Sequence, residues 1–233
     1  MHGFDLLAVL SNPDFARMLW RGALVTLVVA AGSWCLAMSL ALVLLSLRLA
    51  PVRIGDRLVA AYVSYHRNVP TLVQLMLWYF GIASLLPDAV QYWLNDHGAE
   101  TIYGILGLGL CQAAYFSEDL RSGLRAVPPG QAEAARALGH GFLGSLRYVL
   151  MPQAIRNALP ALVNHSVSLF KNSSLTMAIG VSELTHAVKE VENLSFRTFE
   201  TYLIATIAYL AVSLVIMGVG AVLQWRGQVM GAR

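Results

Sequence analysis

Residues Pro128–Pro160, PPGQAEAARALGHGFLGSLRYVLMPQAIRNALP, form a polar, arginine-bearing island in a chain that is otherwise strongly apolar. Within it, Glu133-Ala134-Ala135-x-x-x-Gly139 followed by Val149-x-Met151-Pro152 predicts a short helix, a glycine corner and a second helix starting near the proline. Glycine takes the left-handed conformation that ends helices, and proline fits a helix's first turn. Two helices meeting at a glycine leave a blunt knob that fits a partner's groove; the plainer reading is an amphipathic connection between two spans. Glu133 suits a helix N-terminus or an ion pair with a nearby arginine. His140, beside the corner, reads as solvated, with partner contact as the alternative.

Outward from this island, composition sets the class. Of 233 residues, 57% are hydrophobic and only 12% charged, which no soluble surface tolerates. Mean hydropathy is +0.61. The chain reads as an all-α integral membrane protein embedded in a lipid bilayer. A net charge of +3 without clustered Lys or Arg gives no nucleic-acid face; it suits the excess of basic residues in short cytoplasmic loops. Cys35 and Cys111 fall in apolar stretches and read as buried small hydrophobes.

Residues 1–21 lack the order of a signal peptide and predict an N-terminal amphipathic helix on the outer, periplasmic interface, with Trp20 at headgroup level. Residues 22–226 then form the membrane domain. Gly22 to Leu47 is uncharged and exceeds the roughly 20 residues needed for a crossing. Arg48, Arg53 and Arg57 follow, which places that end in the cytoplasm and the N-terminus outside.

The second span, Leu58 to Leu86, contains Arg67, which needs a partner or a cavity inside a membrane, or else snorkels. Pro70 predicts a kink beside it that frees carbonyls toward the interior. Pro87 to Glu100 is acidic and reads as an outer loop with Tyr92 and Trp93 at the interface, a place for a solute receptor.

Ile102 to Ser117 is short for a third span, so the helix continues through Glu118 and Asp119 or lies where the membrane is thin. Gln112 and Tyr115 share one helical face, as path lining or as an ordinary helix contact. The fourth span, Asn157 to Val181, carries Asn164, His165, Ser168, Lys171, Asn172 and Ser173, too polar a set to face lipid. Thr185 to Glu200 reads as a mixed outer loop, with His186 lacking metal-ligand spacing. Thr201 to Trp225 supplies the fifth span, and five crossings leave Arg226 and Arg233 at a cytoplasmic C-terminus.

These stretches resemble the permease subunits of bacterial ABC importers of the polar amino-acid family. The island at 128–160 resembles the family's EAA coupling loop. Arg67-Asn68-Val69-Pro70-x-x-Val73-Gln74-Leu75 is similar to its Arg-Gly-Thr-Pro-x-x-x-Gln-Leu signature, and Ala114-Tyr115-x-x-Glu118 to its Ala-Tyr-x-x-Glu stretch. Lys171-Asn172-Ser173-Ser174-Leu175, with Glu183-Leu184, resembles Lys-Asp-Thr-Ser-Leu…Glu-Leu, with Asn172 where an aspartate is usual. The resemblance implies a type I ABC importer permease (MetI-like) fold in the bacterial inner membrane. It also implies an ATP-binding cassette ATPase dimer, a second permease subunit (paralogue or self) and a periplasmic solute-binding protein as partners.

By the same resemblance, Glu133, Ala134, Ala135, Ala137, Leu138, Gly139 and His140 couple to the ATPase. Arg67, Asn68, Gln112, Tyr115, His165, Ser168, Lys171, Asn172 and Ser173 line the substrate path. The missing aspartate biases the path to positive charge and the substrate toward glutamate or aspartate, with a basic or neutral amino acid as the alternative. No phosphate-binding Gly-x-x-x-x-Gly-Lys-Ser/Thr loop, zinc helix or nucleophile elbow occurs in the sequence. No catalytic residue, metal or bound cofactor is therefore expected in this chain; ATP and magnesium belong to the partner. A subunit driven by an ion gradient is the reading from another class.

Overall fold

The computed structural model describes residues 4–50 and 53–231, with side chains for 4–50 and 54–226. Met1 to Gly3, the Arg53 side chain and Arg233, all used in the sequence reading, lie outside the described residues. The described chain is all-helical. One turn, α1 (Leu7–Leu10), precedes α2 (Pro13–Leu49). The Asn12 side chain accepts from the backbone N–H groups of Asp14 and Phe15, and Pro13 opens the helix, so α2 starts well before the uncharged run. The expected interfacial helix over 1–21 is therefore divided: its second half is already the first turns of α2.

Helix α3 (Arg53–Asn68) meets α4 (Thr71–Met76) at Pro70, and α4 continues through a wide turn, Leu77–Ile82, and a tight one, Ala83–Leu85. The expected kink is a break: the two arms differ in direction by 107°. Proline disfavours the helical conformation at Val69 and lacks the N–H that would carry the ladder through. The freed carbonyls are not left open. Gln74, fully buried, donates through Nε2 to Val69 O at 2.8 Å and His66 O at 3.1 Å, which holds the corner in one shape.

The loop expected at Pro87 to Glu100 contains α5 (Asp88–Asp96), followed by α6 (Ala99–Arg125), which runs on through Glu118 and Asp119. This 27-residue helix is the centre of the molecule, packed along both α2 and α9. Ala113, Ala114 and Phe116 on α6 are fully buried against Ala37, Ala41 and Leu45 of α2 and Val59 of α3. At Gly123 a Cβ would collide with the Ala154 carbonyl and Ala158, so glycine sets how closely α6 and α9 approach.

Helix α7 (Pro129–Ala137) and α8 (Phe142–Ser145) follow, and α8 runs through a wide turn, Leu146–Leu150, into α9 (Met151–Asn172). In the stretch read as a fourth span, the α-helix ends at Asn172, earlier than expected; a tighter helix, Ser173–Ile179, carries the chain to Gly180. The segment read as a mixed outer loop is largely α10 (Leu184–Ser195), which buries Leu184, Val188 and Val191 against Leu19 of α2 and Ala205 of α11 (Thr198–Gly231).

Pro13–Leu49 and Thr198–Arg226 are long and apolar enough to cross a membrane, and the broken pair Ile54–Asn68 and Thr71–Leu85 forms a third candidate if taken as one span. At a rise of 1.5 Å per residue, α6 and α9 are about 40 and 33 Å long, sufficient for a hydrocarbon core of about 30 Å. Polar residues lower the apolarity of both: Gln112, Ser117 and Asp119 of α6 are buried in protein, whereas Arg156, Asn164 and Lys171 of α9 are exposed. Cys35 stands exposed rather than buried, whereas Cys111 is buried as expected.

Candidate functional site

Three of the sequence-marked segments converge on one cavity of about 250 Å³. Its wall is formed by Thr71 of α4, Leu108, Cys111, Gln112 and Tyr115 of α6, and His165, Ser168, Leu169 and Asn172 of α9. Gln112, Tyr115, His165, Ser168 and Asn172, read separately from two spans, therefore share one wall. Arg67 lies with its guanidinium 5.5 Å from the centre of the Tyr115 ring, a cation–π contact at the end of α3. It has no salt-bridge partner among the described residues. A membrane arginine needs a partner or a cavity, and here it has an aromatic face beside one.

The break between α3 and α4 positions this wall. Once the chain turns at Pro70, Thr71 faces α6, its hydroxyl 3.5 Å from the Cys111 sulfur, and Cys111 also reaches His66 O at 3.7 Å. Other predicted residues stand apart. Asn68 bonds back to Ser64 O at 2.7 Å, Lys171 is exposed and outside the cavity wall, and Ser173 is buried with its hydroxyl on Phe170 O.

Asp119 is the residue that the sequence reading passed over. Its carboxylate meets His165 Nδ1 at 2.6 Å and joins α6 to α9 beside the Tyr115 ring, which lies 5.1 Å from the imidazole. The available signal was the same one that singled out Arg67: an acid within a helix buried in the membrane has to be partnered. Its neighbour Glu118 turns the other way and takes Arg48 at 2.8 Å and Arg121 at 3.2 Å, with Asp56 3.9 Å from Arg48. The arginine read only as a charge marker is thus the buried centre of a cluster that ties α2, α3 and α6 together.

Glu183 was noticed only as part of a motif. It is fully buried and caps α10, accepting from the backbone N–H groups of Thr185 and His186 at 2.9 and 3.0 Å and from the Tyr209 hydroxyl at 2.8 Å. Thr26 of α2 adds its hydroxyl to the same carboxylate and accepts from the Leu184 N–H. One side chain therefore fastens α2, α10 and α11.

At the island, α7 ends in a Schellman motif. The His140 N–H bonds to Ala135 O at 3.1 Å and the Gly139 N–H to Arg136 O at 2.9 Å, with Gly139 at φ +85°. Beyond the corner, Leu138 is 81% exposed and Phe142, Leu143 and Tyr148 are also exposed. Ala134, Ala137 and His140 lie on the surface, Ala135 is buried, and Glu133 is exposed with no salt bridge among the described residues. The knob is polar along α7 and apolar at its tip.

Residues 36–226 match the family of binding-protein-dependent transport system inner membrane components. The chain belongs to that family. It is 30% identical over 214 residues to the glutamate/aspartate import permease protein GltJ of Escherichia coli (strain K12), covering 90% of this chain and 87% of that protein. It is 33% identical over 202 residues to the arginine ABC transporter permease protein ArtQ of Haemophilus influenzae, covering 87% and 90%. The crystal structure of an amino acid ABC transporter with histidines superposes with a TM-score of 0.83 at 27% identity, over 97% of this chain and all of the other. The resemblance to amino-acid importer permeases read from the motifs is borne out, and the fold is that of a type I ABC importer permease.

Proposed function

We propose that this chain is the membrane subunit of an ATP-driven importer that carries acidic amino acids through the cavity between α4, α6 and α9. The observation that carries the acidic preference is Arg67, a cation without a carboxylate partner among the described residues, stacked on the cavity residue Tyr115. Asn172, neutral where the family pattern has an aspartate, lines the same wall and removes a competing negative charge. Among the relatives, the similarity to GltJ supports this choice. Uptake of labelled glutamate into vesicles holding the complete importer should be competed best by glutamate and aspartate and weakly by glutamine and arginine. Preferential competition by arginine rejects the acidic substrate. A basic substrate is the second reading, favoured by the similarity to ArtQ and by the Asp119 carboxylate behind His165.

In this proposal α2, the α3–α4 pair, α6, α9 and α11 make five crossings of the bacterial inner membrane, with the N-terminus outside and the C-terminus in the cytoplasm. Of the 16 Lys and Arg, ten fall on the cytoplasmic side and four on the outer side on that topology, with Arg67 and Lys171 within the spans. The knob from Glu133 to Phe142 enters a cleft of the ATPase dimer: the exposed Leu138 and Phe142 supply apolar contact, and the Schellman corner at Gly139 holds the two short helices at a set angle. ATP-driven closure of that dimer moves the knob. Motion then passes up the continuous α8–α9 rod, which carries His165, Ser168 and Asn172 in the cavity wall, and opens the cavity alternately to either side. A second permease copy or paralogue completes the path, and a solute-binding protein delivers the amino acid to the outer face near α5.

A further inference from the structure

We infer that the cavity recognises the two groups every α-amino acid carries: the Gln112 amide donates to the α-carboxylate, and His165, held by Asp119, accepts from the α-ammonium. This rests on the cavity being the substrate path but not on which side chain the substrate has.

Gln112 is 5% exposed, lines the cavity, and its Nε2 finds no acceptor among the described residues. A buried amide N–H without an acceptor is costly, so a ligand oxygen arriving there recovers that cost and gains a charge-assisted bond. His165 supplies the complementary atom. A carboxylate only accepts, so Asp119 at 2.6 Å selects the Nδ1–H tautomer of the neutral imidazole, and in that tautomer Nε2 carries the lone pair. The carboxylate behind the ring also makes the imidazole a better acceptor for a cationic donor. Gln112, Tyr115 and Asp119 recur three and four residues apart on one face of α6, so the donor and the His165 anchor are placed along one wall by a single helix. Arg67, over the Tyr115 ring and without a salt bridge among the described residues, is left to meet the substrate's own side chain.

Asp119 in this account is a positioning residue, and a structural role would weaken all ligands alike. The test is therefore a ratio. The permease–ATPase complex in nanodiscs, without the solute-binding protein, is titrated with glutamate, glutamine and arginine, and then with the des-amino and decarboxylated analogues of the tightest binder (glutarate and 4-aminobutyrate for glutamate). Which amino acid binds best tests the acidic preference separately. In the unaltered protein each truncated analogue should bind roughly ten- to a hundredfold more weakly than the parent.

Asp119→Asn, nearly isosteric, should shrink the penalty for losing the amino group and leave the penalty for losing the carboxylate. Gln112→Leu should do the reverse. Gln112→Glu keeps the shape but replaces the donor with a carboxylate, and should weaken every amino acid roughly tenfold or more while leaving decarboxylated analogues least affected. If Asp119→Asn and Gln112→Leu both keep both ratios at their original values, the assignment is overturned even where binding of amino acids persists.

Discussion

Arg67 sits in the last turn of a helix whose continuation turns through 107°, and its exposed guanidinium lies over the ring of the cavity residue Tyr115. Arg67→Gln removes the charge and keeps the length; the uptake ratio of glutamate to arginine should fall roughly tenfold, the scale of one charge-assisted bond. An unchanged ratio would leave Arg67 as a snorkelling residue with no part in selection. Glu183 is a structural counterpart. Glu183→Ala leaves two backbone N–H groups and the Tyr209 hydroxyl without their shared acceptor, and the cost should be roughly 1–3 kcal/mol. Thermal unfolding in detergent should show it as a lower midpoint, while binding at the cavity is kept in molecules that remain folded. The charge of Arg67 and its need for company were legible from sequence. Its partner, a tyrosine from another helix, and the pairing of Asp119 with His165 were not, because both join residues more than 40 positions apart.

Among the elements, the α7–α8 corner was the most legible. Helix-ending by glycine is local chemistry, and the φ of +85° at Gly139 follows from residues within one turn. No atom lies within 4 Å of a Cβ placed there, so substitution acts through backbone conformation and not through a clash. Gly139→Val should therefore uncouple ATP hydrolysis from uptake, whereas Gly139→Asn, which tolerates the left-handed region, should retain most of the coupling. ATPase rate and uptake measured on the same vesicles separate the two outcomes. If Gly139→Val stays fully coupled, the corner's shape does not transmit the work. The break at Pro70 was only half legible. Proline announces an interruption, but the turn angle depends on Gln74, buried and bonded to the two carbonyls that the interruption releases. The helices inside the segments read as outer loops escaped notice for a similar reason: α10 is short and carries Lys189, Glu190 and Glu192, and it is helical because its other face is buried on α2 and α11.

For the whole molecule, the proposed five crossings predict opposite exposure of the segments around Tyr92 and Gly141. Single cysteines at Tyr92 and at Gly141, in a chain with Cys35 and Cys111 replaced by alanine, should be labelled by a membrane-impermeant reagent from opposite sides of sealed vesicles. Labelling from the same side would remove one crossing. Between these ends, α6 and α9 are held at close approach by Gly123 and joined by Asp119 and His165, so the knob and the cavity wall belong to one continuous packed unit. That continuity is what would let work done at the surface reach the cavity.

Composition and hydropathy were enough by themselves to place this chain in a membrane, and local patterns were enough to mark its glycine corner and the helix interruption at Pro70, since both depend on forces acting within a few residues. Which polar groups face one another was decided only by folding: the cavity, the Asp119–His165 pair and the Arg48–Glu118 bridge each join helices far apart in the chain. A membrane interior makes an unpartnered charged or polar group costly, but which partner each one finds depends on helix rotation and crossing, which side-chain packing across the whole bundle sets.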